Sequence, residues 1–424
     1  MNAVPEKANP QEQSYQPQSE KKSLVILLCT LFLLPIVFSP HNLVAPENVK
    51  IFFLSVFVLV SFFFLALAEF KKQRMQFYNH PLFFSALFTF AFLFLSAAFS
   101  KFPIASWTTS SGGYPFLVFF TLFTVLIASA YLSNTPSRSL YAVQIIVVSF
   151  LLTCIVTILQ FFAYDFERFA FTPSFFGTWD DLAVFSGLVV LLSVSIFNFS
   201  TSLLARFLLL ISFIFASLIL FLTHQIPVLV ILLVLLFLNL IMKKNSFPST
   251  IALFLIALSL LAATVSISPL NLNRLSVSER LSEITNLPVA RETFKEGPIR
   301  GLLGSGPNTA LYQRDLYSFK TKPLQSWNTD FLTTWGLLPV FSFLIFLFLL
   351  FYSGTRVIFE KFSGTETKQN KIVITFFLPI AYLWILAFFY PMNITLLALT
   401  FFLTGISIAI YAYTKKGITF FFFF

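Results

Sequence analysis

Residues 203–244, LLARFLLLISFIFASLILFLTHQIPVLVILLVLLFLNLIMKK, decide how the whole chain is threaded. Taken as one element they form a single long apolar helix; taken as two, they form a tight helical hairpin. The residues between the apolar runs 204–222 and 227–242 favour the hairpin. Thr223 to Ile226 interrupt the apolar pattern, and Pro227 suits the first turn of a new helix, where its missing N–H has no intrahelical partner to lose. The choice sets the side of the membrane on which every later segment lies.

Ten further apolar runs extend outward from this pair: 23–39, 51–69, 81–99, 114–132, 141–162 and 182–199 before it, and 249–268, 330–352, 372–390 and 393–413 after it. Each is of the length that crosses a hydrocarbon core about 30 Å thick. The expected fold class is therefore an all-α integral membrane protein of about twelve transmembrane helices. Composition agrees, because 58% hydrophobic and 10% charged residues, with 61 Phe, leave too little polar surface to cover a soluble globule.

The distribution of Lys and Arg orients the bundle. With twelve helices, one side collects 16 cations and six acids, and the other 11 cations and 11 acids, so the entire net charge of +10 lies on one face. Cations collect in short cytoplasmic connections, which puts the N and C termini in the cytoplasm and predicts a multi-pass protein of the inner or plasma membrane. Eleven spans scramble this sorting. The resulting organisation is a cytoplasmic, disordered segment 1–22, helices one to nine over 23–268, a long extracytoplasmic loop 269–329 between helices nine and ten, helices ten to twelve over 330–413, and a cytoplasmic tail 414–424. Met1 to Lys22 is polar and no small-residue cleavage pattern follows the first apolar run, so that run is expected to remain as helix one. The tail Phe420 to Phe424 is expected to lie in the membrane interface.

Several function classes drop out. The cations sit singly or in pairs at helix ends, which fits anionic headgroups of the lipid bilayer and argues against nucleic acid. Three His and two Cys, Cys29 and Cys154, both within apolar runs, give no metal-ligand spacing and no disulfide framework, so no metal and no cofactor is expected. No phosphate-binding loop, dinucleotide fingerprint or nucleophile elbow is present. No cytoplasmic connection is long enough for an ATP-hydrolysing domain.

The apolar runs carry almost no ionisable residue, whereas ion-coupled carriers place such groups at midplane. Charges gather at the outer rim instead, notably Asp180 and Asp181 before helix six and Arg280, Arg291, Arg300 and Arg314 in the long loop. Within that loop, RETFKEGPIRGLLGSGPN (291–308) places a cation-bearing helical turn ahead of a glycine-spaced turn. Gly304 and Gly306 let backbone amides approach phosphate or sugar oxygens closely, and guanidinium groups clamp a diphosphate bidentately without titrating. Glu283 to Lys295 is expected to form a short helix despite Pro288.

Four stretches carry a resemblance. GPIRGLLGSGPNTALY (297–312) followed by SWNTDFLTTWGLLPVFSFLIFL (326–347) resembles the signature region of the O-antigen ligase and polymerase family, membrane glycosyltransferases acting on polyprenyl-diphosphate-linked glycans. SAAFSKFPIASW (96–107) is similar to that family's first outer loop, and FFGTWDDLAVFSGL (175–188) to its Gly-Thr segment before helix six. The resemblance spans about residues 80–352 in order. The chain departs from the family's ligases by reading Ser326, Trp327, Asn328 where many carry a loop His, and Thr223, His224, Gln225 where many carry Ser-Arg.

The resemblance implies a metal-independent enzyme that moves a glycan from a polyprenyl diphosphate donor to a glycan or glycolipid acceptor, outside the cytoplasm. In that reading Arg291, the best match to the family's loop arginine, acts with Arg280, Arg300 and Arg314 on the diphosphate. Asp180, Asp181 or Asp330 takes the acceptor's proton. Gly304, Gly306, His224 and Trp327 line the substrate, with Trp179, Trp327 and Trp335 stacking on sugar faces. The alternatives are a transporter or flippase for lipid-linked glycans, and a scaffold for envelope assembly.

Overall fold

The computed structural model describes residues 18–37, 46–72, 74–78, 80–108, 114–133, 135–163, 176–199, 202–242, 247–264, 287–309, 312, 334–362, 368–390, 392–414 and 418–422. Their regular structure is helical apart from one short strand pair. In chain order the helices are α1 (Gln18–Leu33), α2 (Pro46–Lys72), α3 (Pro81–Ala98), the one-turn α4 (Pro103–Trp107), α5 (Phe116–Leu132), α6 (Pro136–Ala163), α7 (Trp179–Ile196), α8 (Leu203–Thr223), α9 (Ile226–Met242), α10 (Phe247–Thr264), α11 (Leu287–Lys295), α12 (Pro298–Leu303), α13 (Leu337–Phe362), α14 (Lys368–Phe389) and α15 (Ile394–Thr414). Seven of these are long and apolar enough to cross a membrane, and α5, α9 and the apolar parts of α10 and α14 are shorter apolar helices. The chain is a helical membrane protein.

The break within 203–244 forms as read and gives two helices, although these pack mainly on other helices, α7 among them, rather than closely on each other. α8 stops at Thr223 because His224 takes a left-handed backbone (φ 49°, ψ 36°), its N–H still bonded to the Leu220 carbonyl, and α9 starts two residues later. That conformation is uncommon for a residue with a Cβ, though His tolerates it better than most. Elsewhere the boundaries shift. α2 starts at Pro46 rather than Ile51, and α13 runs from Leu337 to Phe362 rather than 330 to 352. Pro sits in the first turn of α2, and Gly336 at φ 77° blocks helix before α13.

Nearly every residue of α7 and of Ile394–Tyr411 in α15 is buried, so these two helices are the centre of the bundle. α7 packs on α6, α8 and α14, while α15 packs on α5 and α14. At the α5–α15 crossing a Cβ on Gly405 would lie 1.9 Å from Ser129 Oγ and 2.3 Å from the Leu126 carbonyl, so only Gly permits this approach. α2, α3, α8 and α13 instead present rows of exposed Phe, Leu and Ile, such as Phe52, Phe63, Phe88, Phe207, Phe341 and Phe348. In water such faces would aggregate; against acyl chains they are the solvated surface.

The Phe-rich tail is not simply laid against the bundle. Ile418–Phe422 forms a strand paired antiparallel with Arg74–Tyr78, with Gln76 opposite Phe420. β-Branched Ile418 and Thr419 followed by Phe420–Phe422 are residues that suit a strand, a pairing which the expected interfacial placement did not foresee.

At the same end of the bundle, Glu20 receives Lys72 Nζ at 2.8 Å and Arg138 Nη1 at 2.9 Å, joining the starts of α1 and α6 to the end of α2. Lys72 also reaches Glu69 at 2.8 Å. Glu20 lies on the polar turn ahead of the first apolar run. Burial pushes its carboxyl up, but the hydrogen bonds and charges of Lys72 and Arg138 outweigh this and hold it below the usual carboxylate range. A depressed carboxylate contributes stability above its unfolded value and loses it as pH falls through the folded one. Glu20→Gln is expected to destabilise the protein at neutral pH by about 2 kcal/mol, less than a fully buried pair because Lys72 and Arg138 keep some contact with water. Thermal unfolding in detergent from pH 7 downward checks this: the gap between wild type and variant narrows as pH falls below about 4, where the unfolded carboxyl protonates first, and closes only once the folded carboxyl is protonated too.

Candidate functional site

Three helices begin at the opposite end of the bundle, side by side: α2 at Pro46, α7 at Trp179 and α15 at Ile394. Helix starts expose unbonded N–H groups and a partial positive charge, and here carboxylates from the same and neighbouring helices answer them. Thr178 caps α7 in a capping box: its Oγ accepts from the Asp181 N–H, and Asp181 Oδ2 accepts from the Thr178 N–H at 2.9 Å and its hydroxyl at 2.8 Å. Glu47 Oε2 lies 3.4 Å from the Ile394 N–H, so α2 supplies a carboxylate to the start of α15. Asn393 caps α15 through its Oδ1, which accepts from the Leu396 N–H at 2.9 Å.

A cation is buried among these carboxylates. Lys50 is 2% exposed; its Nζ donates to the Phe176 carbonyl at 2.6 Å and stands 5.4 Å from the Phe176 ring centroid. Asn393 Nδ2 donates to the same carbonyl at 3.0 Å. The charges of Glu47 and Asp181 both act on Lys50. Tyr114, just ahead of α5, turns its hydroxyl inward to donate to Glu47 Oε2 at 3.3 Å and the Met392 carbonyl at 3.2 Å. Burial, and then the negative charges of Glu47 and Asp181, hold this hydroxyl well above the usual tyrosine range, so it remains a donor. Tyr390 shares a 2.8 Å hydrogen bond with Thr178 Oγ. Of Asp181, 3% exposed, only Oδ1 is among the buried polar atoms without a hydrogen-bond partner.

Asp180 points elsewhere. Its Oδ1 accepts from Gln225 Nε2 on the α8–α9 turn. Together with Tyr390 these side chains are the polar lining of a narrow cleft otherwise walled by Val184, Pro227, Val228 and Leu386. His224, 3% exposed, stands beside this turn with its ring edge-on to Phe221.

The glycine-rich segment lies at this end too, bonded to the connection after α3. Ser100 Oγ and the Lys101 N–H donate to the Ser305 carbonyl, Ser106 Oγ to Pro307, Asn308 Nδ2 to Ala105, and Arg300 Nη1 to Phe99 at 2.6 Å. Lys101 and Glu296 pair at 2.6 Å. Gly304 (φ 72°) and Gly306 (φ 106°) do not form the expected oxygen-binding nest. Their N–H groups are committed to the Arg300 and Thr334 carbonyls, both at 2.8 Å, and a Cβ on Gly304 would lie 2.3 Å from the Thr334 carbonyl. The glycines serve a backbone joint between α12 and the residues before α13. Trp335 packs edge-on to Phe119 and Phe343, and Trp107 to Phe116, so α5 carries this layer at Phe116 and Phe119 and the charged cluster at Tyr114.

No protein-family model matches this chain, and no curated protein is similar to it.

Of the residues expected at a site, the structure brings Asp180, Asp181 and His224 to one rim, and Arg300, Gly304, Gly306 and Trp335 to the stapled layer beside it. Arg291 is exposed on α11, which packs against α12. Arg280, Arg314, Trp327 and Asp330 lie outside the described residues. Trp335 is buried, 6% exposed, and stacks on protein rather than standing open to a sugar. Glu47, Lys50, Tyr114 and Asn393 were missed. Glu47 and Lys50 lie in the first turns of α2, ahead of the apolar run at 51–69, and escape notice when the helix start is set four residues past Glu47. The signal was present: PENVK (46–50) has Pro and an acid in a first turn. Among the described residues no three His, Cys, Asp or Glu side chains are grouped to hold a metal.

Proposed function

We propose that this chain is a twelve-span membrane glycosyltransferase of the O-antigen ligase and polymerase type, with both termini in the cytoplasm and the charged rim facing outward. The donor is a polyprenyl-diphosphate-linked glycan and the acceptor a sugar hydroxyl of a glycan or glycolipid. One observation carries the reading: the separated stretches behind the resemblance, at 96–107, 297–309 and 334–347, pack into one layer, and α5 joins that layer to the cluster around 176–181. The cation sorting supports the orientation, since the starts of α2, α5, α7, α9 and α15 all lie at the end that it assigns to the outside.

In this reading the acceptor oxygen bonds to the sugar's anomeric carbon as the bond from that carbon to the diphosphate oxygen breaks. The acceptor's proton passes to the Asp180 carboxylate, and the electron pair leaves on the lipid diphosphate. A diphosphate is a good leaving group, so charge neutralisation and alignment are the main demands on the protein. Among the described residues Arg291 is an exposed guanidinium placed for the first, with Arg300 already anchored on Phe99. Asp181 acts in the frame, holding the start of α7, rather than on the acceptor.

Incubating the purified protein with lipid-diphosphate oligosaccharide and sizing the products tests this directly. Longer chains or a glycan on a new acceptor support transfer. Unchanged lipid that has crossed the bilayer instead favours a transporter, for which Lys50, buried with Glu47, is the residue to examine. Arg291→Ala is expected to reduce transfer by about 10²-fold or more, with the protein still inserted and monodisperse. Undiminished transfer by that variant removes Arg291 from the chemistry.

A further inference from the structure

The exposed residues of the stapled layer are the wrong kind for water. In 297–303 the open positions are Pro298, Ile299 (63% exposed) and Leu302 (44%); in 101–107 they are Pro103 and Ile104 (81%). The polar side chains of the same turns face inward, Ser100 and Ser106 onto Ser305 and Pro307 carbonyls and Arg300 onto Phe99. Solvated loops show the reverse arrangement.

What lies beneath says what covers them. α12 packs on α3 and α13, and α4 on α3 and α5. α3 ends in exposed Leu95 and Phe99, and α13 begins with exposed Leu337 and Phe341 (64%). Those are acyl-facing residues, and the aliphatic side chains of α4 and α12 continue the same surface past the helix ends. We propose that α4 and α12 are embedded in the bilayer's outer interface, with Ile104, Ile299 and Leu302 in the acyl boundary and the Lys101–Glu296 pair and Arg300 at headgroup depth. Apolar residues below and cations above is the arrangement that anchors amphipathic turns in an interface. The layer then forms a ledge in the membrane at which a lipid-borne headgroup meets the protein from the side. The inference rests on exposure and packing and is independent of the glycan reading, because the bilayer is the partner whatever the chemistry.

Spin labels test it in the full chain reconstituted in liposomes. Ile104→Cys, Ile299→Cys and Leu302→Cys are made singly in a background carrying Cys29→Ala and Cys154→Ala, with Phe341→Cys as the lipid-facing reference and Lys295→Cys as the aqueous one. The ratio of collision rates with oxygen and with a water-soluble nickel chelate is expected to be severalfold higher at 104, 299 and 302 than at 295, approaching that at 341. A ratio matching position 295 places the patch in water and overturns the proposal. Labels shielded from both reagents mean protein cover, such as a second copy of the chain, and overturn it equally. Three independent sites keep the test alive if one variant misfolds.

Discussion

Asp180→Asn is expected to lower glycan transfer by about 10²- to 10⁴-fold while the protein stays folded and inserted, the range for loss of a positioned general base. The two neighbouring carboxylates are distinguished by what they touch. Asp181 Oδ2 is held by both the N–H and the hydroxyl of Thr178, so its first duty is to the start of α7. Asp180 lines the cleft with Gln225 and Tyr390. The amide in Asp180→Asn still accepts from Gln225 but no longer takes a proton, so the loss falls on kcat with KM nearly unchanged. Asp181→Asn keeps an acceptor for the capping box and is expected to show the milder transfer defect. If the two variants are equally active, or if Asp181→Asn alone is dead, the assignment of roles is wrong.

Lys50→Met is expected to be the most destabilising single change at this end of the bundle, by about 3–5 kcal/mol, the cost of breaking a buried charge arrangement by removing one partner. Methionine fills nearly the same volume as the lysine stem, so packing is not what is lost. What is lost is the ammonium that bonds the Phe176 carbonyl and faces Glu47 and Asp181. Two negative groups are then left near three helix starts with no buried ammonium between them. Thermal unfolding in detergent measures the effect, and adding Glu47→Gln should restore part of it, since neutralising one carboxylate relieves the excess charge. A Lys50→Met protein as stable as wild type would show that the ammonium is incidental.

Much of this architecture was legible in the sequence because a bilayer imposes a length and a polarity on each span. The hairpin at 223–226 was set by a proline and an interruption of four residues, and the structure adds only that His224 closes α8 with a left-handed backbone. The short helix expected over Glu283 to Lys295 is present from Leu287 to Lys295, with Pro288 in its first turn. The site was less legible. The GSGPN turn has the composition of a phosphate nest, yet Gly304 and Gly306 are there because the Thr334 and Gly336 backbone and the Ser100 and Ser106 side chains come too close for any Cβ. Only tertiary contact distinguishes those two uses, for Gly304 with the backbone before α13 and for Gly306 with side chains some 200 residues earlier. Even with the start of α2 at Pro46, the role of Lys50 depends on tertiary contact in the same way. Its partner is the carbonyl of Phe176, 126 residues away, and a backbone acceptor leaves no trace in side-chain patterns. The strand formed by 418–422 likewise depends on a distant partner, at 74–78.

The measurement that bears most directly on this account is the sidedness of the charged rim. Lys295→Cys in a chain freed of Cys29 and Cys154, exposed to a membrane-impermeant maleimide, reports which face of the membrane α11 occupies. Full labelling is expected in sealed right-side-out vesicles and none in inverted ones. Labelling only in inverted vesicles would place the arginine-bearing layer, Asp180 and the buried Lys50 in the cytoplasmic leaflet and contradict it.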